Sequence, residues 1–189
     1  MNKVIAAAAL LALAGAANAG VGLLDGVMQA GDGSVATPYD FGTLSATPEV
    51  LLVTLPGTAG GSFEEHANFV ISTASDVNGS ANTYALAFNG VNLHEIDDLT
   101  INVWDGVHPL GTINYATFSG DNVTTWFGTL GAGQYHLDID GVFGPNATGG
   151  QYSVALNAVP AVPEPETYAL MLAGLGALGF IARRRRQPD

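Results

Sequence analysis

Near the end of the chain's central stretch, three side chains that can hold a proton or a cation recur at every second position: His136, Asp138 and Asp140. Positions i, i+2 and i+4 of a strand share one face and stand about 7 Å apart, so this row could collect a divalent cation if a neighbouring strand brought another acid. The competing reading is a solvated polar face on an acidic sheet, and this is the expectation; no metal or other cofactor is assigned. Glu64-Glu65 and Asp97-Asp98 place carboxylates side by side. Adjacent strand residues point to opposite faces, so neither pair makes a general acid and base across one bond. His94-Glu95-Ile96-Asp97-Asp98 contains ligand-type residues without the spacing of a zinc protease helix. The sequence has no G-x-S-x-G elbow, H-E-x-x-H, phosphate-binding loop or EF-hand loop, and no cysteine to serve as nucleophile, thiolate ligand or disulfide partner. Catalysis is not expected.

The elements that would position these groups show a period of two. Tyr135, Leu137 and Ile139 alternate with His136, Asp138 and Asp140, as in a half-buried strand. Further strands are expected near 50–55, 67–73, 83–89, 99–104, 112–118, 124–130, 135–142 and 151–157. Turns are expected at Asn89-Gly90, Asp105-Gly106, Gly120-Asp121-Asn122, Gly131-Ala132-Gly133 and 146–150. Short strands with such punctuation and no amphipathic helix predict an all-β fold, an antiparallel β-sandwich or jelly roll. Residues 20–48 are glycine-rich and read as one strand and a long loop. A chain of 189 residues with 48% apolar and 12% charged side chains can bury a core without staples.

Charge narrows the partners. Lys3 stands at one end and Arg183, Arg184, Arg185 and Arg186 at the other, so residues 20–163 hold 14 acidic side chains and no lysine or arginine. Such a body cannot neutralise phosphates, which excludes nucleic acid, and anionic lipid headgroups would repel it.

Both ends read as signals. Met1-Asn2-Lys3, an apolar run from Val4 to Ala14, and Ala17-Asn18-Ala19 predict a signal peptide over 1–19, with signal peptidase cutting after Ala19. The body follows over 20–158. A proline-rich tether occupies 159–167, since prolines at 160, 163 and 165 cannot donate to a sheet ladder. Residues 168–182 carry no charge and predict a transmembrane helix, although 15 residues rise only about 22 Å. Residues 183–189 form a tail in which Arg183, Arg184, Arg185 and Arg186 act as stop-transfer and stay in the cytoplasm.

The order Pro163-Glu164-Pro165, short apolar helix, Arg183-Arg184-Arg185-Arg186 resembles the PEP-CTERM sorting signal of Gram-negative bacteria, a C-terminal domain also named after ice-binding proteins. The resemblance implies that exosortase, a membrane-embedded protease, recognises Pro163, Glu164 and Pro165. It also implies export across the inner membrane, transient anchoring through 168–182, and delivery to the cell surface or medium, in organisms that often make exopolysaccharide and biofilm. Gly61 to Phe69 and Gly131 to Leu137 resemble the FxDxF group of such proteins, with Glu65 in place of the Asp and Ala67 in place of the second Phe.

Two further patterns bear on partners. Trp104, Trp126, Tyr84, Tyr115, Tyr135 and Tyr152 could form a sugar-stacking platform, against the commoner role of strand aromatics as core. Asn78-Gly79-Ser80, Asn122-Val123-Thr124 and Asn146-Ala147-Thr148 are sequons expected on surface loops. The expected function is a noncatalytic surface or matrix protein. A calcium-assisted carbohydrate-binding module and a secreted hydrolase are the alternatives.

Overall fold

The structure is a computed structural model that describes residues 20–107, 111, 114–161 and 170–178. The expected export segment, with Ala17 and Ala19, lies outside the described residues. So do the sorting residues Pro163, Glu164 and Pro165 and the stop-transfer residues Arg183, Arg184, Arg185 and Arg186. Residues 170–178 are helical and exposed. Of the expected transmembrane helix over 168–182, residues 168, 169 and 179–182 lie outside the described residues; among the described residues no helix is long and apolar enough to cross a membrane.

The body is built from strands. One sheet runs in the order β11 (Thr125–Leu130), β6 (Ser75–Tyr84), β13 (Gly149–Pro160), β4 (Glu49–Pro56), β1 (Val21–Leu24) and β2 (Val27–Met28). The other runs β10 (Asn114–Ser119), β9 (Ile96–Asp105), β12 (Gly133–Phe143), β5 (Ser62–Ile71) and β3 (Tyr39–Thr43). A separate hairpin joins β7 (Leu86–Phe88) to β8 (Val91–His94). The sheets face each other across one core, filled from the first by Leu51, Val53, Leu55, Val77, Tyr152, Val154 and Leu156 and from the second by Phe69, Ile71, Ile101, Val103, Leu137 and Ile139. Each set follows the strand period, with apolar side chains at alternate positions turned inward.

Residues 20–48 hold three strands, more than the expected one. Asp25 and Gly26, at φ 47° and 83°, form a two-residue turn between Leu24 and Val27, and Asn89-Gly90 repeats it in the β7–β8 hairpin at φ 50° and 78°. Pairing is antiparallel except for β3 with β5, which is parallel. The single strand between them, β4, lies in the other sheet, so the chain crosses the core twice and returns in its original direction. β13 continues through Val159 and Pro160, opposite Asp76 and Ser75, two residues into the segment expected to be tether. Pro160 ends the ladder, where its missing N–H costs little.

Candidate functional site

The two acids of the Glu64-Glu65 pair go to opposite faces of β5, as the strand period requires. Glu64 is exposed, whereas Glu65 points inward and is buried between the sheets. Its carboxylate accepts a hydrogen bond from the Tyr39 hydroxyl on β3 at 3.1 Å and another from the Tyr152 hydroxyl on β13. Burial pushes the carboxyl up to about 7; the Tyr152 and Tyr39 hydroxyls oppose this, and the charge of Asp32 adds to it. Burial and the Glu65 charge raise both tyrosines in turn. The space around the carboxylate is closed by backbone. A Cβ at Gly20 would stand 2.2 Å from Glu65 Oε1, and one at Gly33, whose φ is +79°, would stand 2.7 Å from it. In the pattern Phe63-x-Glu65-x-Ala67, the acid therefore sits in the core position of an otherwise apolar row.

His136, Asp138 and Asp140 share the outer face of β12, as expected. That face is less wet than expected, because His136 is only 2% exposed. Its Nδ1 donates to the Gly106 carbonyl at 3.1 Å, and the backbone at Gly111 lies against its ring. The sequence reading missed His66. The β5–β12 register puts His66 opposite Asp138, where it is also 2% exposed and its Nδ1 donates to Asp138 Oδ1 at 3.0 Å. Asp138 thus stands between two imidazoles, with His136 Nε2 at 3.8 Å from the same oxygen. Among the described residues, no group of three or more His, Cys, Asp or Glu side chains could hold a metal ion.

Farther along the face, Ser62, Glu64, Asp98, Thr100, Asp140 and Val142 line an open groove of about 490 Å³. Burial, then Glu64 and Asp138, raise the Asp140 carboxyl, while His66 lowers it. His94 lies on β8, and Asp97 and Asp98 lie on β9.

The six aromatic residues are divided between core and surface. Tyr152 and Tyr135 are core residues, the latter stacked on Phe69 at 5.3 Å. Trp126 is 64% exposed on the outer face of the first sheet, but its register partner is Asn78, six residues along β6 from the exposed Tyr84 and hence about 20 Å away. The sequon Asn78-Gly79-Ser80 is inside β6, not on a loop, because Val77, Gly79 and Ala81 form that strand's inward row.

The family model described as PEP-CTERM protein-sorting motif matches residues 161–186, a span that runs from the end of the body through Pro163, Glu164 and Pro165 to Arg183, Arg184, Arg185 and Arg186. The search of curated proteins finds no match. Among solved structures, the chain is similar to PliG of Aeromonas hydrophila, a periplasmic inhibitor of g-type lysozyme, at 13% identity and a TM-score of 0.34, covering 63% of this chain and 98% of that one.

Proposed function

From the PEP-CTERM protein-sorting motif at residues 161–186, we propose that this chain is a noncatalytic β-sandwich exported to the cell surface or extracellular matrix after exosortase-type processing. The motif implies recognition by exosortase and anchoring in the membrane before processing. On this reading signal peptidase cuts after Ala19, Pro163, Glu164 and Pro165 are what the sorting protease recognises, and residues 168–182 hold the precursor in the inner membrane. Arg183, Arg184, Arg185 and Arg186 stop transfer. A protease must bind an extended strand that no ladder has claimed, and β13 ends at Pro160, just before the motif. The noncatalytic part is supported by the separation of Glu64 from Glu65 onto opposite faces. The burial of Glu65 between two tyrosines also gives that acid a structural setting.

Intact mass of the protein from envelope and medium, in cells with and without the sorting protease, tests the route. The expected product starts at Gly20 and ends near Pro163, and it disappears when the protease is absent. Mass reaching Asp189 in both strains would overturn the sorting reading. Pull-down on exopolysaccharide with and without EDTA tests the role of the body; retention that EDTA reverses would replace the matrix reading with a calcium-assisted carbohydrate module.

A further inference from the structure

We propose that cleavage after Ala19 places a cation in the core: the newly formed α-ammonium of Gly20 pairs with the buried carboxylate of Glu65 and ties the start of β1 to the opposite sheet. The inference rests on the export reading, which supplies the cleavage. It goes beyond that reading by giving the new terminus a structural task.

The geometry carries it. Gly20 is buried and directly precedes β1, whose first residue, Val21, is registered with Thr54 of β4. A Cβ on Gly20 would lie 2.2 Å from Glu65 Oε1 and 2.4 Å from the Tyr39 hydroxyl. The backbone nitrogen is about 2.5 Å from that Cβ position, so standard covalent geometry keeps it within about 4.7 Å of the carboxylate oxygen. That is ion-pair range once a rotation of the freed terminus is allowed.

The surroundings lack any other permanent cation. Residues 20–163 contain no lysine or arginine, so a fixed positive charge beside Glu65 cannot come from a body side chain. The groups that face the carboxylate are Tyr39 from β3 and Tyr152 from β13, with the charge of Asp32 from the loop before β3 also acting on it. His66 follows in sequence but points to the outer face, toward Asp138.

The chemistry balances with water alone. Hydrolysis breaks the bond between the Ala19 carbonyl carbon and the Gly20 nitrogen. The water oxygen stays on Ala19, whose carboxylate leaves with the signal segment. Both water hydrogens end on the Gly20 nitrogen, which becomes –NH₃⁺. An uncleaved chain offers only a neutral amide at this place. Near neutral pH an α-amine is largely protonated, and an adjacent carboxylate favours its charged form further.

The mature chain makes the test clean, because Lys3 is the only lysine and it departs with the signal segment. The α-amine of Gly20 is then the sole primary amine, and acylation by an activated ester can be read by intact mass. The protein is purified after export, its N-terminus confirmed by mass, and its labelling rate followed against pH, folded and in urea. The expected folded rate is at least about tenfold lower, with a midpoint raised by about one unit above the ordinary α-amine range of roughly 7.7–8.0. Burial without a partner would shift the midpoint down, so the direction separates pairing from mere shielding. Glu65→Gln keeps a side chain that can accept from the tyrosines and should return the midpoint to the ordinary range. An amine that titrates ordinarily and reacts equally fast folded and unfolded overturns the pair while leaving export intact. An N-terminus other than Gly20 overturns the pair through its premise, and the wild-type rates decide even if the variant does not fold.

Discussion

Tyr152 and Glu65 join the two sheets through the core: a hydroxyl on β13 donates to a carboxylate on β5. The ring of the same tyrosine stacks on Phe63 at 6.0 Å, so the hydrogen bond is held inside an aromatic contact. Replacing the hydroxyl leaves the ring packing and removes one of two donors from a buried acid. Tyr152→Phe should cost about 1–3 kcal/mol in urea unfolding, with Tyr39→Phe showing a loss in the same direction.

The pH dependence of Glu65 follows from its displaced titration. Burial raises the carboxyl from an ordinary 4.5 to about 7, so between those values the folded chain holds a proton that the unfolded chain has released. Stability therefore falls as pH rises through that window, by about 3 kcal/mol in all, and stays lower above it. The effect belongs to a chain without a free ammonium at residue 20. Urea midpoints of Gly20-acetylated protein at pH 5 and pH 8 should show the fall with Glu65 and not with Glu65→Gln.

On the outer face, Asp138 accepts from the buried imidazole of His66. Asp138→Ala removes that acceptor from a buried imidazole and should destabilise the body by about 1–3 kcal/mol. Thermal unfolding measures the loss. Export and processing, followed by intact mass, should continue, since the change is remote in sequence from both termini.

Trypsin cuts after lysine or arginine, and residues 20–163 contain neither. The exported body should resist the enzyme in urea at concentrations that unfold it but leave trypsin active. A glutamate-specific protease under the same conditions should cut at Glu49, Glu64, Glu65 and Glu95. An internal tryptic fragment on a gel would contradict the first expectation.

Much of the scaffold was legible because its strands carry large side chains at alternate positions. Tyr135, Leu137 and Ile139 marked β12 and the face on which His136, Asp138 and Asp140 lie. β6 escaped except for its last two residues, Thr83 and Tyr84, which fall in the strand expected at 83–89, because its inward row is Ser75, Val77, Gly79 and Ala81, in which only Val77 carries a strong hydrophobic signal. The room over Gly79 is taken by Phe127 and Leu156, whose atoms a Cβ there would meet at 2.3 and 2.9 Å. Early β5 escaped because an acid fills an inward position, and only the partners Tyr39 and Tyr152, distant in sequence, make that position tolerable. His66 was missed for the same reason, since its pairing with Asp138 depends on a register between distant strands. The Asp25-Gly26 turn was a readable signal, with a dipeptide that suits positive φ at both positions.

The placement of β13 decides how the body would carry load. This strand leads toward the tail and is gripped on both sides, by β6 from Gln151 to Pro160 and by β4 from Gly149 to Leu156. Tension arriving through the tail pulls along the strand, at right angles to its inter-strand hydrogen bonds. Those bonds are then strained together in shear, instead of parting one by one as in a peeled edge, so a tethered body would be loaded through a central strand paired on both sides.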